Sequence, residues 1–291
     1  MDPARQLRDI LAQEKTILVP GAYDAFSAKI LKQAGFKIVY MTGSGVTASL
    51  TGMPDVGLLN MTEMVNQARY IVNAIDLPLI CDADNGYGNP INVIRTVREY
   101  ERAGVAGIHI EDQVAPKKCG HFERKQILPA EEMVMKIKAA LYARENDDFL
   151  IIARTDARSV MGLKEAVQRA HIFIEAGAEM IFVESPQSRE ELRTIAAELA
   201  GTPLLVNMVE GGKTPILPFE ELSGMGFKIV LYPTSGIRAV AKTLQELAAH
   251  LYAHRSTADF EDRLVSFEDR NRITGLAQIN ELENRFIKFD D

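Results

Sequence analysis

Eight short apolar segments alternate with segments of helical periodicity along most of this 291-residue chain. We predict strands at residues 16–19, 37–41, 78–82, 105–110, 149–154, 180–184, 204–207 and 228–232, and helices at 25–34, 61–75, 89–103, 130–144, 163–176, 188–199, 218–224 and 236–254. Glycines such as Gly35 and Gly104 close several of these helices, because glycine adopts the left-handed conformation of a helix end without strain. Repeated strand–helix units predict a parallel sheet, and eight of them in about 250 residues predict a closed α/β barrel of the (β/α)8 TIM type.

A doubly wound open sheet is the competing architecture. It more often carries a glycine-rich phosphate loop after its first strand, and the segment Pro-Gly-Ala-Tyr-Asp at 20–24 is not such a loop. Residues 256–291 are more polar, and we predict that they form a C-terminal helical extension, with helices at 259–271 and 274–285, that packs on the barrel or on another subunit. Because no linker or low-complexity tract divides the chain, residues 1–291 are predicted to form a single barrel domain.

Composition limits the possible partners. The net charge is −7 with both signs mixed along the chain, so there is no basic stripe to meet the phosphates of a nucleic acid. No apolar run reaches membrane-spanning length, and the first six residues lack the apolar core of a signal peptide. The two cysteines, Cys81 and Cys119, give no disulfide framework and indicate a reducing compartment. We therefore expect a cytoplasmic protein that binds neither nucleic acid nor membrane.

Acidic side chains follow two neighbouring predicted strands. Asp82 and Asp84 share one face of the third strand, and Glu111 ends the fourth. Carboxylates crowded at the C-terminal end of a barrel repel each other unless a cation or protons compensate, and oxygen ligands without a histidine or thiolate cluster suit Mg²⁺ or Mn²⁺. The alternative is that Asp82 and Asp84 only cap the next helix. With Arg154 at the end of the fifth strand, the pattern favours a metal site that also recognises a carboxylate substrate.

Three further features point to the same end of the barrel. Arg154 suits bidentate binding of a carboxylate, or alternatively an internal salt bridge to Glu184 or Asp156. The segment Thr42-Gly43-Ser44 offers backbone N–H groups and a hydroxyl to an oxyanion, or forms an ordinary turn. The segment Lys-Lys-Cys-Gly-His at 117–121 surrounds a thiol with positive charge, which favours the thiolate; the alternative is an exposed basic loop with an incidental cysteine.

These motifs together resemble the isocitrate lyase/phosphoenolpyruvate mutase superfamily. The resemblance extends from residue 19 to residue 233 and is carried by Gly-Met-Pro-Asp at 52–55, Cys-Asp-Ala-Asp-Asn-Gly-Tyr-Gly at 81–88, Ile-Glu-Asp-Gln at 110–113, the segment at 117–121 and Ala-Arg-Thr-Asp-Ala at 153–157. It implies a (β/α)8 barrel with Mg²⁺ at the strand ends and a homotetramer whose dimers swap the eighth helix.

Site roles follow from the resemblance residue by residue. It implies that Asp84 holds the metal most directly, with Asp82, Glu111 and Asp55 acting through waters. It implies that Thr42, Gly43 and Ser44 bind the α-carboxylate of the substrate and that Arg154 contacts other substrate oxygens. The loop with Cys119 and Gly120 would close over the site.

The loop sequence favours one branch of the superfamily. Its carbon–carbon lyases carry Lys-Lys/Arg-Cys-Gly-His, whereas its phosphonate mutases and hydrolases and its oxaloacetate decarboxylases lack that cysteine. Methylisocitrate lyases usually show Asn-x-Thr-Glu-Phe-Gly after the seventh strand, and here Gly211 stands where the phenylalanine is expected. Glu184-Ser185-Pro186 also differs from the Glu-Ala-Leu of that subgroup. Both features resemble the dimethylmalate lyase and petal-death-protein group, which acts on smaller substituted malates.

The resemblance implies a retro-aldol cleavage of a di- or tricarboxylate, with a 2,3-dimethylmalate-like dicarboxylate favoured, to pyruvate and a monocarboxylic acid. Tyr40 is the candidate base, with core packing as its alternative role. Arg154, Glu184, Asn207 and His121 would orient the second fragment, and Cys119 would protonate it. The competing hypotheses are a 2-methylisocitrate lyase, an oxaloacetate decarboxylase or hydrolase, a phosphonate mutase or hydrolase, and a non-catalytic barrel used for binding.

Overall fold

The computed structural model describes residues 2–287 and contains a closed parallel barrel. Its strands are β1 (Ile17–Ala22), β2 (Val39–Met41), β3 (Leu79–Asp82), β4 (Gly107–Glu111), β5 (Leu150–Thr155), β6 (Met180–Val183), β7 (Leu204–Asn207) and β8 (Ile229–Tyr232). Each strand pairs with its neighbour in sequence order, and β8 pairs with β1. The predicted (β/α)8 fold is confirmed, and the open sheet is wrong.

Helices surround the barrel. They are α1 (Pro3–Gln13), α2 (Ala25–Gln33), α3 (Gly43–Thr51), α4 (Met61–Ala74), α5 (Pro90–Arg102), α6 (Ala130–Ala143), α7 (Ala157–Met161), α8 (Leu163–Glu175), α9 (Arg189–Glu198), α10 (Phe219–Met225), α11 (Ser235–His254), α12 (Phe267–Thr274) and α13 (Leu276–Phe286). Helices α1, α3 and α7 were not predicted. The start of α1 does carry a signal, since Asp2 caps it and Pro3 occupies its first turn. The sequence of α3, Gly-Ser-Gly-Val-Thr-Ala-Ser-Leu-Thr, has low helix propensity, so tertiary packing rather than local preference explains this helix.

Two apolar layers hold the barrel in shape. Ile17, Val19, Ile80 and Leu205 belong to the cluster that fills the barrel interior. A larger cluster lies between the outer strand faces and the helices. This packing is typical of TIM-type barrels, and it leaves the C-terminal strand ends free to carry polar side chains.

The C-terminal helices pack loosely on this chain. No residue of α11 is buried, although α11 follows the last strand. A 3₁₀ helix (Ala258–Arg263), α12 and α13 come next, and Gly275, in the left-handed conformation at φ +87°, separates the last two. The predicted extension is therefore helical with shifted boundaries, and its last four residues lie outside the described residues. Within residues 2–287, every helix is too short or too polar to cross a membrane.

Candidate active site

The C-terminal strand ends surround a cavity of about 50 Å³. Most of the predicted site residues line it, namely Tyr40, Thr42, Ser44, Asp55, Asp82, Glu111, Cys119, Gly120, His121, Arg154, Glu184 and Asn207. Gly43 and Asp84 are not in its lining. The residues that line it but were not predicted are Lys117, Lys118, Val209, Pro233 and Thr234. The structure thus gathers residues from the whole length of the barrel sequence into one site.

Strand register brings the charged groups together. Glu111 on β4 stands opposite Arg154 on β5, and Asp82 on β3 stands opposite His109 on β4. All four side chains are almost completely buried. Their proximity follows from parallel pairing, because neighbouring strands end at the same rim of the barrel.

Four carboxylates form what we call the acidic cluster: Asp55, Asp82, Asp84 and Glu111. The Lys117 ammonium bridges two of them, with its Nζ 2.6 Å from an Oδ1 of Asp55 and 2.6 Å from an Oδ1 of Asp84. Asp84 adopts a left-handed backbone conformation, at φ +48°, and its N–H donates to Asp82 Oδ1. The positive charge of Lys117 is therefore paired with the carboxylates of the acidic cluster and not with the Cys119 thiol, two residues later in the sequence.

The acidic cluster still has more negative charge than its neighbours compensate. Burial raises the pKa of Asp84 to about 7, although Lys117 lowers it, and burial also raises the pKa of Glu111 well above its usual range. Among the described residues, Glu111 Oε1 is buried without a hydrogen-bond partner. Buried carboxylate oxygens with these properties are suitable partners for a hard cation.

The acidic cluster fits a cation held largely through water. In the described part of the chain, no three Asp, Glu, His or Cys side chains are grouped closely enough to hold a metal ion between them. Mg²⁺ usually retains several waters and binds one or two protein carboxylates together with substrate oxygens. Direct binding by a single carboxylate, with the others acting through waters, is compatible with this geometry.

Arg154 is fixed by three carboxylates. Its Nε lies 2.9 Å from Asp156 Oδ2 and 3.1 Å from Glu111 Oε2, and its Nη2 lies 3.2 Å from Glu184 Oε2. The internal salt bridges considered as its alternative role are therefore present. They do not exclude substrate binding, because Arg154 also lines the cavity. Asp156, which the sequence suggests only as an ion-pair partner, positions the guanidinium.

Cys119 lies in the thiol loop, which we define as residues 113–127 because Gln113 and Ile127 pair at its base. The Cys119 N–H donates to the Asp55 carbonyl at 3.0 Å. The next carbonyl, that of Gly120, accepts from Lys125 Nζ at 2.5 Å and from Ser185 Oγ at 3.1 Å. A Cβ at Gly120 would lie 2.5 Å from Glu184 Cδ, so this close approach requires glycine.

The expectation of a Cys119 thiolate is wrong for this structure. Burial raises the thiol pKa to about 11, with further increases from Asp55 and Glu184. The flanking lysines do not offset this, because Lys117 binds the acidic cluster and Lys118 Nζ donates to the Arg124 carbonyl. The protonated thiol is nevertheless the form that a proton donor needs.

Tyr40 contacts a residue to which sequence analysis assigned no role. Its hydroxyl lies 2.6 Å from His109 Nε2, and His109 Nε2 lies 3.5 Å from Asp82 Oδ1. Burial lowers the pKa of His109 to about 4 and raises that of Tyr40 well above its usual range. The sequence does contain a signal that His109 belongs to the site, because His109 and Glu111 lie two residues apart and therefore share one face of their strand.

Thr42, Gly43 and Ser44 form the N-terminal end of α3. The Thr42 hydroxyl caps the helix by accepting from the Gly45 N–H at 3.2 Å. A Cβ at Gly43 would lie 2.5 Å from Asp82 Oδ2, so glycine permits the helix to approach the acidic cluster. The positive end of a helix dipole suits a carboxylate. This placement favours the predicted oxyanion-binding role over the alternative of an ordinary turn.

A closed parallel barrel with buried acid–base groups at its C-terminal rim defines the class of (β/α)8-barrel enzymes. Within that class, the chain belongs to the phosphoenolpyruvate phosphomutase family, whose profile matches residues 7–252. The superfamily predicted from the sequence motifs is confirmed.

Two relatives illustrate the range of named activities. The chain is 49% identical over 286 residues to 2,3-dimethylmalate lyase of Eubacterium barkeri, in an alignment that covers 98% of this chain and 99% of the relative. It is 43% identical over 264 residues to 2-methylisocitrate lyase of Aeropyrum pernix, with 91% of this chain and 84% of the relative covered.

Solved structures show the same architecture. A 2,3-dimethylmalate lyase described as a PEP mutase/isocitrate lyase superfamily member superposes with a TM-score of 0.93 at 36% identity, covering 100% of this chain and 99% of the other. An oxaloacetate acetylhydrolase in complex with 3,3-difluorooxalacetate gives 0.92 at 35% identity, covering 98% and 97%. A phosphonopyruvate hydrolase in complex with oxalate and Mg²⁺ gives 0.90 at 29% identity, covering 99% and 100%.

Proposed function

We propose that this protein is a Mg²⁺-dependent carbon–carbon lyase that cleaves a 2-hydroxy dicarboxylate, such as 2,3-dimethylmalate, to pyruvate and a monocarboxylic acid. The observation that carries this proposal is that the partly buried Cys119 thiol lines one cavity with Arg154 and with Asp55, Asp82 and Glu111 of the acidic cluster. A lyase needs a proton donor for the carbanion-like fragment that it releases. The 49% identity to a dimethylmalate lyase supports the same reaction class.

The acidic cluster is the proposed metal site. Asp84 would hold Mg²⁺ or Mn²⁺ most directly, and Asp82, Glu111 and Asp55 would act through waters. When bound, the ion would polarise the 2-oxygen and the 1-carboxylate of the substrate. The raised pKa of Asp84 supports a cation here, as does Glu111 Oε1, which has no hydrogen-bond partner within residues 2–287.

The residues of the chain position the substrate on both sides of the bond to be broken. Thr42, Gly43 and Ser44 at the start of α3 would bind the α-carboxylate. Arg154, together with Asn207 and Glu184, would bind and orient the fragment on the other side, and Gly120 would close the cavity above it. Asn207 Nδ2 already lies 3.3 Å from Glu184 Oε2, which fixes the amide beside Arg154.

Bond cleavage requires one proton to leave and another to arrive. A base, proposed to be Tyr40, takes the C2 hydroxyl proton as that oxygen forms a C=O bond, and Tyr40 passes its own hydroxyl proton to His109 Nε2, 2.6 Å away. The C2–C3 electron pair moves into the second fragment as an enediolate of its carboxylate. The Cys119 thiol then protonates C3, and its thiolate recovers a proton from solvent when the loop opens. The closed thiol loop excludes water while the enediolate exists.

The size of the substrate is indicated by the relatives rather than by the residue at position 211. Gly211, which replaces an expected phenylalanine, does not line the cavity, and a Cβ there would meet only Arg238, at 3.9 Å. The 49% identity to a 2,3-dimethylmalate lyase favours a dicarboxylate, whereas the 43% identity to a 2-methylisocitrate lyase keeps a tricarboxylate as the second candidate. An oxaloacetate-cleaving activity is a third, because the fold is shared with an acetylhydrolase.

A substrate panel tests the proposal. Purified protein with Mg²⁺ is assayed for α-keto acid release from 2,3-dimethylmalate and 2-methylisocitrate, for oxaloacetate consumption with oxalate as one product, and for phosphonopyruvate hydrolysis. We expect the highest kcat/KM with the dicarboxylate 2-hydroxy acid. A far higher value with 2-methylisocitrate would change the substrate and keep the lyase. Activity only on oxaloacetate or phosphonopyruvate would contradict the lyase proposal.

We also propose a homotetramer in which α11 of one copy covers the barrel of another. Helix α11 exposes Val240, Leu244 and Leu251, and Leu18 on β1 is 37% exposed although it lies on the barrel wall. Apolar residues on these two faces would be buried by exchange of α11 between copies. Light scattering should give four times 32.3 kDa, and Leu244→Glu should lower that mass. A monomeric wild-type protein would contradict this assembly.

We also propose a cellular location and a domain organisation. Neither Cys81 nor Cys119 is in a disulfide, which supports a reducing, cytoplasmic location. Residues 1–291 are proposed to act as a single domain with 256–291 as its extension, because the extension contacts the barrel through a Lys29 Nζ to Thr274 carbonyl hydrogen bond of 2.9 Å.

A further inference from the structure

His121 of the thiol loop contacts a second loop, formed by residues 208–217 after β7. The backbone N–H of Lys213 lies 3.1 Å from His121 Nδ1. A backbone N–H can only donate, so Nδ1 must be the unprotonated, accepting nitrogen. The neutral imidazole therefore carries its proton on Nε2.

The other nitrogen of His121 faces the cavity with its hydrogen bond unmade. His121 lines the cavity, and Nε2 is buried without a partner among the described residues. Glu184 Oε1 is 3.7 Å away and already accepts from the Ser185 N–H at 2.8 Å and lies 3.0 Å from Ser185 Oγ. A buried N–H left unpaired is costly, so its natural partner is an oxygen that enters with a ligand.

Gly212 makes this arrangement possible by having no side chain. A Cβ at Gly212 would lie 2.8 Å from both Cε1 and Nδ1 of His121. Such a contact is closer than van der Waals packing allows, so alanine would force the imidazole away from the Lys213 N–H. Backbone strain is not involved, since Gly212 is not among the glycines with positive φ.

From these contacts we propose that the loop after β7, through Gly212 and the Lys213 N–H, locks His121 as an Nε2–H donor to the carboxylate of the departing fragment. This inference deepens the proposed lyase function and rests on it. The donor would act as negative charge moves onto that carboxylate during C2–C3 cleavage, a role like that of an oxyanion-hole donor. Gly212 and Lys213 are positioning residues, and His121 is the group that touches the substrate.

Two matched variants separate this role from general packing of the loops. Gly224 in α10 has no positive φ, and a Cβ added there would meet no atom within 4 Å, so Gly224→Ala makes the same chemical change without a clash. Glu123→Gln weakens the exposed salt bridge of 2.6 Å between Glu123 and Lys213 Nζ, which joins the same two loops without involving the Lys213 N–H.

The direct readout is the tautomer of His121, measured by ¹⁵N NMR of the five histidines with assignment by His121→Gln. We expect the Nε2–H tautomer in wild type, Gly224→Ala and Glu123→Gln, and its loss or averaging in Gly212→Ala. In the lyase assay, Gly212→Ala should lower kcat by about 10²-fold, the loss typical of one oxyanion donor, with a small change in KM. An Nδ1–H tautomer in wild type, or a Gly212→Ala protein with normal tautomer and kcat, would overturn the proposal.

A second comparison keeps the test informative if Gly212→Ala does not fold. The side-chain amide of glutamine can place an N–H near the position of Nε2, whereas alanine cannot. His121→Gln should therefore retain a larger kcat than His121→Ala, and equal losses would refute the donor role. If wild type shows the Nε2–H tautomer but cleaves no 2-hydroxy acid, the positioning geometry stands and the proposed reaction fails.

Discussion

Three carboxylates of the acidic cluster and the thiol loop line the same cavity, but the two regions are built by different means. Asp82 and Glu111 are fixed by the parallel register of β3, β4 and β5. Cys119 and Gly120 are fixed by contacts from residues distant in sequence, including Asp55 and Ser185. One region is determined by strand pairing and the other by long-range hydrogen bonds to a loop. The position of a strand-end side chain can therefore be predicted from the sequence, whereas the electrostatic state of a loop side chain depends on long-range contacts that the sequence does not show.

The largest expected effect concerns the acidic cluster. Asp84→Ala should lower kcat about 10⁴-fold, because Lewis-acid stabilisation by a metal contributes several kcal/mol and each 1.36 kcal/mol is tenfold in rate. EDTA should abolish wild-type activity, and added Mg²⁺ or Mn²⁺ should restore it. Steady-state kinetics and calorimetric titration with Mg²⁺ check both. The exposed Asp147→Ala serves as the control, and full activity in chelated wild type would show that the cluster is not a metal site.

A smaller loss is expected from the thiol loop. Cys119→Ser should lower kcat by about 10²–10⁴-fold, the usual contribution of a general acid, because serine is a much weaker proton donor. Metal binding by calorimetry should be unchanged, since Cys119 is not part of the acidic cluster. Near-normal turnover would remove the proton-donor role and favour the oxaloacetate or phosphonate alternatives.

The smallest effect tests the charge state of the thiol. With a Cys119 pKa of about 11, raised by burial, the thiolate fraction increases tenfold per pH unit between pH 7 and 10. The rate of iodoacetamide inactivation should rise with the same slope and show no plateau below pH 9. Substrate with Mg²⁺ should slow it by holding the loop closed. A plateau near pH 7 would restore the thiolate that the sequence suggested. Cys81, fully buried, should not react in the folded protein.

Much of the barrel and site was predictable, for physical reasons that differ by residue. Asp82, Glu111 and Arg154 were found because strand ends of a parallel barrel meet at one rim. The thiolate expectation failed because sequence proximity does not show where a lysine points: Lys117 extends to Asp55 and Asp84 instead of Cys119. Helix α3 was missed because its stability comes from packing rather than from propensity.

Residues that act through backbone groups were harder to find. Gly212 and the Lys213 N–H contribute no side-chain chemistry, so only the folded structure shows their contact with His121. His109 had a strand-face signal, but its partner Tyr40 is distant in sequence, and the pair forms only when β2 and β4 meet inside the barrel. A sequence pattern reveals charged side chains more readily than the glycines and backbone groups that hold those side chains in place.

Product analysis in D₂O with Mg²⁺ and 2,3-dimethylmalate tests the proposed lyase reaction in one experiment. We expect pyruvate and propionate in equal amounts, with one deuterium at C2 of the propionate, because the exchanged Cys119 thiol delivers a deuteron to the former C3. Nuclear magnetic resonance of the two products measures this in a single sample. Pyruvate without propionate, propionate without deuterium, or no cleavage of any 2-hydroxy dicarboxylate would contradict it.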